Sequence, residues 1–171
     1  MTAERSRRVA AWFAARPRLR AGVLAANRWL PRIPFVCYPA LLAGLGLELA
    51  AGRSELAPAA LRAVLVPAAV FAGGTALRRV LDRPRPYQQP GFVPLVRKDR
   101  QGCSFPSRHA LSAGVIAAVW MYFSPGMGAA LALTAAAIGG LRVLTGLHYV
   151  RDVVWGAGLG FALGWAGMWL L

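Results

Sequence analysis

The sequence predicts an all-α fold: a multi-span membrane helix bundle of about five transmembrane helices, preceded by a helix lying in the membrane interface. Three observations predict it. Hydrophobic residues make up 57% of the 171 positions, and mean hydropathy is positive. The apolar residues come in long blocks, not at the amphipathic spacing of a soluble core. The polar residues able to do chemistry fall in three short clusters, each at the end of an apolar block.

The length is that of one domain, read as a basic amphipathic interfacial segment over residues 1–32 and a transmembrane domain over 33–171. Residues 1–32 carry eight arginines among alanines and a few bulky apolar residues. Pro17 divides them into two short helices. In the second, Leu19, Val23, Ala26 and Leu30 fall at helical spacing, with Arg20, Asn27 and Arg28 off that face, as in a helix lying on a membrane. A solvated basic tail is the alternative for residues 1–16. The first apolar block starts only near Ile33, behind this basic segment, so no cleavable signal is expected.

Five spans follow, near 33–51, 57–77, 109–124, 127–145 and 150–171. The third is short against the roughly 20 residues of a full crossing, so a helix start embedded in the polar region is expected to complete it. Pro39, Pro58 and Pro67 are candidates for kinks that neighbouring helices tolerate. Glu48 and Arg62, near span ends, are expected to snorkel. The long connection, residues 78–108, holds Pro84, Pro86, Pro90 and Pro94 with Arg97, Lys98 and Arg100. A connection of that length in a compact domain is usually functional. Abundant glycine and alanine suit close helix approach in a bilayer.

Lysine and arginine number 20 against 6 acidic residues, a formal charge of +14, and Lys98 is the single lysine. No nucleic-acid recognition module accompanies this charge. Anionic headgroups and bound phosphate account for it better. The expected partners are therefore a phosphate-bearing membrane lipid and the bilayer, with no nucleic acid. Two cysteines, Cys37 and Cys103, imply no disulfide framework.

Arg78, Asp82, Arg85 and Pro86 form the first cluster, with Arg79 and Arg83 better suited to capping the span. Phe105-Pro106-Ser107-Arg108-His109 leads straight into an apolar helix, whose start supplies free N–H groups and the positive dipole end to an anion. Arg142, His148 and Asp152 form the third. Asp152 lies four residues after His148, so its carboxylate can hold one ring nitrogen and leave the other as a nucleophile. Asp152 also opens an apolar span, where an unpaired carboxylate costs several kcal/mol and a partner is expected. Gly146 lets the chain turn between Arg142 and His148. With five spans, parity puts all three clusters and the N-terminal segment on one membrane face.

Arg78-x6-Arg85-Pro86, Pro106-Ser107-x-His109 and Arg142-x5-His148-x3-Asp152 together resemble the three-part signature of the type 2 phosphatidic acid phosphatase superfamily. That group includes membrane lipid phosphatases and polyprenyl diphosphatases, with vanadium haloperoxidases as soluble relatives. The resemblance implies metal-independent, cofactor-free release of phosphate. His148 would be the nucleophile that becomes a phosphohistidine, with Asp152 orienting it and His109 protonating the leaving oxygen. Arg78, Arg85, Ser107, Arg108 and Arg142 would bind the substrate. Three positions depart from the pattern: Arg78 stands for the usual lysine, Leu141 for serine, and Arg108 for glycine.

The resemblance implies an integral enzyme of the bacterial plasma membrane, with undecaprenyl diphosphate or a related isoprenoid phosphate as substrate. Phosphatidylglycerol phosphate and phosphatidic acid are the competing substrates. A vanadate-dependent haloperoxidase fits the spans poorly. A non-catalytic lipid-binding protein leaves the two histidines and Asp152 unexplained. The site is expected on the outer face by family habit, although the arginine-rich N-terminus on that side opposes it by positive-inside counting.

Overall fold

A computed structural model describes residues 1–99 and 101–171; Arg100, grouped above with the basic connection, lies outside the described residues. The helices are α1 (Ala3–Ala14), α2 (Pro17–Trp29), α3 (Arg32–Ala50), α4 (Ala57–Leu81), α5 (Arg108–Phe123), α6 (Pro125–Leu144) and α7 (Val150–Leu170). Short 3-10 turns occupy Ser54–Leu56 and Pro86–Gln88. Pro17 opens α2 and Pro125 opens α6. A fixed φ and a missing N–H cost little in a first helical turn. Pro39 and Pro67 lie inside α3 and α4, whereas Pro58 sits in the first turn of α4 and is no kink candidate.

Among the described residues, four stretches are long and apolar enough to cross a membrane: those containing α3 and α4, and α6 and α7 themselves. The 16-residue α5 falls short, as anticipated, and occupies the centre of the bundle. Every residue from Ala110 to Val119 is buried. A helix apolar on all sides belongs inside a bundle. Its polar start at Ser107 is therefore carried inside as well.

What brings α5 closest to α7 is a row of missing side chains. Asp152, Gly156, Gly160, Gly164 and Met168 recur every four residues along one face of α7, and all are buried. A Cβ on Gly160 would strike the backbone carbonyl of Leu111, and one on Gly156 would lie 2.7 Å from the carbonyl oxygen of Ser107. On α5, Gly114 faces the Ala157 carbonyl in the same way. Small residues at this spacing let membrane helices approach backbone to backbone. The contact ends at the site, where the Ser107 N–H donates to the Asp152 carbonyl at 2.8 Å.

Gly160→Ala is therefore expected to lower the unfolding midpoint in detergent, at a cost of about 1–3 kcal/mol for overpacking. Gly158→Ala, where an added Cβ meets nothing within 4 Å, should be neutral or slightly stabilising. Equal behaviour of the two variants would refute the glycine seam.

The N-terminal segment is helical from Ala3 and packs on the connection above the site. Phe13 and Ser6 are buried, and the Ser6 hydroxyl accepts the Val93 N–H at 3.0 Å. In α2, Val23, Ala26 and Leu30 are half-buried while Leu19 is exposed. Asn27, expected off that face, is buried. Four residues after Val23, it lies one turn along the same packed stripe.

Glu48 pairs with Arg53 at 3.1 Å. Arg62 donates to the Met168 carbonyl at 2.8 Å, satisfying an end carbonyl of α7. Both lie at the end of the bundle opposite the three clusters.

Candidate active site

Helix α4 runs four residues beyond its expected end near 77, which puts Arg78 and Arg79 in its last turn. Asp82 closes it in the left-handed conformation, at φ 31°. The Asp82 carboxylate then accepts the Cys103 N–H at 2.9 Å, and the Arg83 carbonyl accepts the Ser104 N–H at 2.8 Å. These bonds fold the connection back onto the end of α4. Arg78, which is 3% exposed, donates to the carbonyls of Cys103 and Pro106. Arg85 Nε donates to the Gly102 carbonyl at 2.9 Å. Both arginines thus hold the segment that leads into α5, a task that sequence reading did not assign to them.

A glycine turn places the third cluster. Thr145 follows α6, and Gly146 adopts a positive φ of 79°. The Gly146 N–H donates to Val143 at 3.0 Å, and the Leu147 N–H reaches back to the Arg142 carbonyl at 3.0 Å. These two bonds define the Schellman ending of a helix. The His148 N–H also donates to the Arg142 carbonyl, at 3.2 Å. The six-residue spacing of Arg142 and His148 is the length of this reversal. A Cβ on Gly146 would sit 2.8 Å from the Phe92 ring, so the turn leaves room only for glycine.

Asp152 is fully buried and has the partners its position demands. The hydroxyl of Ser104, itself fully buried, donates to Oδ2. The Tyr149 N–H donates to the same oxygen at 3.1 Å, and His148 Nδ1 lies 3.6 Å from it. Arg151 Nε stands 3.7 Å from Oδ1. One oxygen therefore faces the histidine while two other donors fix its direction. Ser104 was missed in the sequence; nothing about a serine in a loop announces a partner 48 residues away.

A cavity of about 60 Å³ opens between these elements, lined by Arg78, Arg85, Lys98, Arg108, His109, Arg142, Leu147 and His148. Six of the eight expected site residues reach it. Ser107 and Asp152 lie behind it, both fully buried. Lys98, read only as part of a basic loop, joins the lining. Ser107 occupies the cap position of α5, yet its hydroxyl makes no capping bond. Among the described residues, Ser107 Oγ and Arg142 Nε are buried polar atoms without a protein partner. Such groups in a folded core call for an explanation, and for Arg142, which lines the cavity, a bound oxyanion supplies one. Five cationic side chains around so small a space make the cavity selective for multiply charged anions.

His148 sits between α6 and α7 and is 5% exposed. Burial holds its pKa below the ordinary histidine value of 6.5, and the nearby Arg85 adds to this; Asp152 pulls it part of the way back. The ring is therefore neutral at physiological pH, with Nδ1 toward the carboxylate and Nε2 left for the cavity. No group of three or more His, Cys, Asp or Glu side chains that could hold a metal ion occurs among the described residues.

The PAP2 superfamily profile matches residues 59–171, which takes in α4 to α7 and all three clusters. The chain belongs to the PAP2 superfamily. A search of the curated proteins gives no match. Among solved structures, the crystal structure of LpxE from Aquifex aeolicus is similar, with 24% identity and a TM-score of 0.63. That likeness covers 89% of this chain and 86% of the other, and it is one of fold. A transmembrane PAP2-type phosphatidylglycerolphosphate phosphatase from Bacillus subtilis is also 24% identical, over 93% of each chain, with a TM-score of 0.47. Arg78, Arg85, His109, Arg142 and His148, which line one cavity, all lie within the matched region. Helices α1 to α3 precede the matched region.

Proposed function

We propose that the chain is an integral membrane lipid phosphatase that releases inorganic phosphate through a phosphohistidine at His148. The observation that carries this reading is a buried histidine whose Nδ1 lies 3.6 Å from a fixed carboxylate and which lines a cation-rich cavity at the end of an apolar bundle. The phosphate of a membrane lipid enters the cavity, and Arg78, Arg85, Arg142 and the amides at the start of α5 take up its equatorial charge. His148 Nε2 attacks the terminal phosphorus as its bond to the leaving oxygen breaks, an oxygen that belongs to the inner phosphate of a diphosphate or to the lipid of a monophosphate. His109 delivers a proton to that oxygen. Asp152 stabilises the imidazolium that forms, as a buried carboxylate does beside a catalytic histidine. Water then attacks phosphorus with His109 as base, the N–P bond breaks, and phosphate leaves with His148 restored.

Within this class, an isoprenoid diphosphate such as undecaprenyl diphosphate is the proposed substrate. The excess of cations around the cavity, Lys98 and Arg108 beyond the three signature arginines, suits a second phosphate beside the scissile one. The test is phosphate release by the purified protein from matched polyprenyl and glycerolipid phosphates, with chelator present. Release from the prenyl diphosphate in chelator is expected. Release confined to phosphatidylglycerol phosphate or phosphatidic acid would overturn the substrate, and activity that vanishes with chelator would overturn the histidine mechanism. The site is proposed to face outward. A cysteine placed at exposed Asp99, in a chain without Cys37 and Cys103, should react with an impermeant thiol reagent in intact cells. Labelling only after permeabilisation would reverse the orientation.

A further inference from the structure

A second cavity, of about 420 Å³ and almost wholly apolar, runs along the outside of the bundle between α4 and α7. Val70, Gly73 and Leu77 of α4 form one wall, Leu159 and Leu163 of α7 the other, and Pro106 closes its head. Two of these residues adjoin the phosphate site in the chain: Leu77 precedes Arg78, and Pro106 precedes Ser107. The Arg78 guanidinium also donates to the Pro106 carbonyl, so a residue lining the cationic cavity bonds one lining the apolar groove.

On α4 the groove extends from Val66 to Leu77, a rise of about 17 Å, or roughly half the ~30 Å hydrocarbon core of a bilayer. Two other apolar cavities exist. One lies among α3, α4 and α5 around Tyr38 and Phe71, the other between α2 and α3 around Trp29. Neither is lined by a chain neighbour of a cluster residue.

We infer that the α4–α7 groove seats the hydrocarbon tail of the lipid whose phosphate occupies the cationic cavity, and that the enzyme thereby selects for tail length. This rests on the phosphatase reading above. The groove's apolar lining matches a hydrocarbon chain, and its head lies where the tail must join the phosphate. Glycine keeps it open. A Cβ on Gly73 would meet nothing within 4 Å, so the space beside that residue belongs to the groove.

Gly73→Leu fills this space without striking the backbone. The probes are two pairs with common headgroups and unlike tails: geranylgeranyl against dimethylallyl diphosphate, and dioleoyl against dihexanoyl phosphatidic acid. In the pair that is hydrolysed, Gly73→Leu should lower the long-to-short ratio of kcat/KM by about tenfold or more. Gly46→Leu, on exposed α3 where an added Cβ also meets nothing within 4 Å, should keep the wild-type ratio. Should Gly73→Leu fail to fold, Leu163→Trp from the opposite wall carries the same expectation. A ratio unchanged in the groove variants, with both lipids still hydrolysed, overturns the tail site and leaves the phosphatase reading standing. Failure of the wild-type protein to release phosphate from any of the four, and from phosphatidylglycerol phosphate, overturns the phosphatase reading instead.

Discussion

Replacing His148 by alanine is expected to abolish turnover, with a loss in kcat of at least about a thousandfold, as for removal of other covalent nucleophiles. Arg78, Arg85 and Arg142 remain in place in this variant, so lipid phosphate should still bind. The fold should survive, because the ring ends at the cavity and is not the centre of a packed layer. Phosphate release and equilibrium lipid binding by the purified variant separate the two effects. Near-normal release would remove His148 from the mechanism.

Asp152→Asn should be the next most damaging change, lowering kcat by about a hundredfold to ten-thousandfold, by analogy with carboxylates that orient catalytic histidines. The amide keeps the shape but removes the charge that pulls the His148 pKa upward. It also places a donor where Oδ2 accepts from Ser104 and Tyr149. A pH profile distinguishes this from simple misfolding. The nucleophile must be neutral, and burial holds the His148 pKa below 6.5. In the wild type the acid limb of kcat/KM therefore lies below pH 6.5. In Asp152→Asn the influence that raises the pKa is gone, so the limb should move to lower pH. The linkage to stability has the same sign: with the folded pKa below the unfolded one, neutral His148 contributes fully above that value, and the contribution fades as pH falls. A limb at or above pH 6.5 in the wild type, or one that moves upward in the variant, contradicts this placement of charge.

The sequence already carried the helices. Long apolar blocks and Pro17 set boundaries close to those observed, because bilayer thickness and a missing N–H act locally. The turn from Arg142 to His148 was legible for a similar reason: Gly146 supplies the left-handed residue that such an ending requires. The partners of Asp152 could be demanded but not named. A buried carboxylate needs donors wherever they come from, and Ser104 arrives through a folded connection that no periodicity describes. Arg78 and Arg85 were read as phosphate ligands, yet each also bonds loop carbonyls, because a guanidinium has five donors and one anion does not occupy them all. The N-terminal helices proved harder. Asn27 looked polar enough to face water, but the stripe that packs is wider than the apolar residues alone suggest. Gly156, Gly160 and Gly164 were in view as composition; their four-residue period was the signal for the α5–α7 seam.

The most direct test of the account is to trap the covalent intermediate. The purified enzyme is mixed with a prenyl diphosphate radiolabelled in its terminal phosphate, quenched during turnover in alkaline denaturant, and digested for peptide sequencing. Labelled phosphate is expected on His148, absent in His148→Ala and cleared when unlabelled substrate is added. Turnover without protein-bound phosphate, or a label on any other residue, would contradict it.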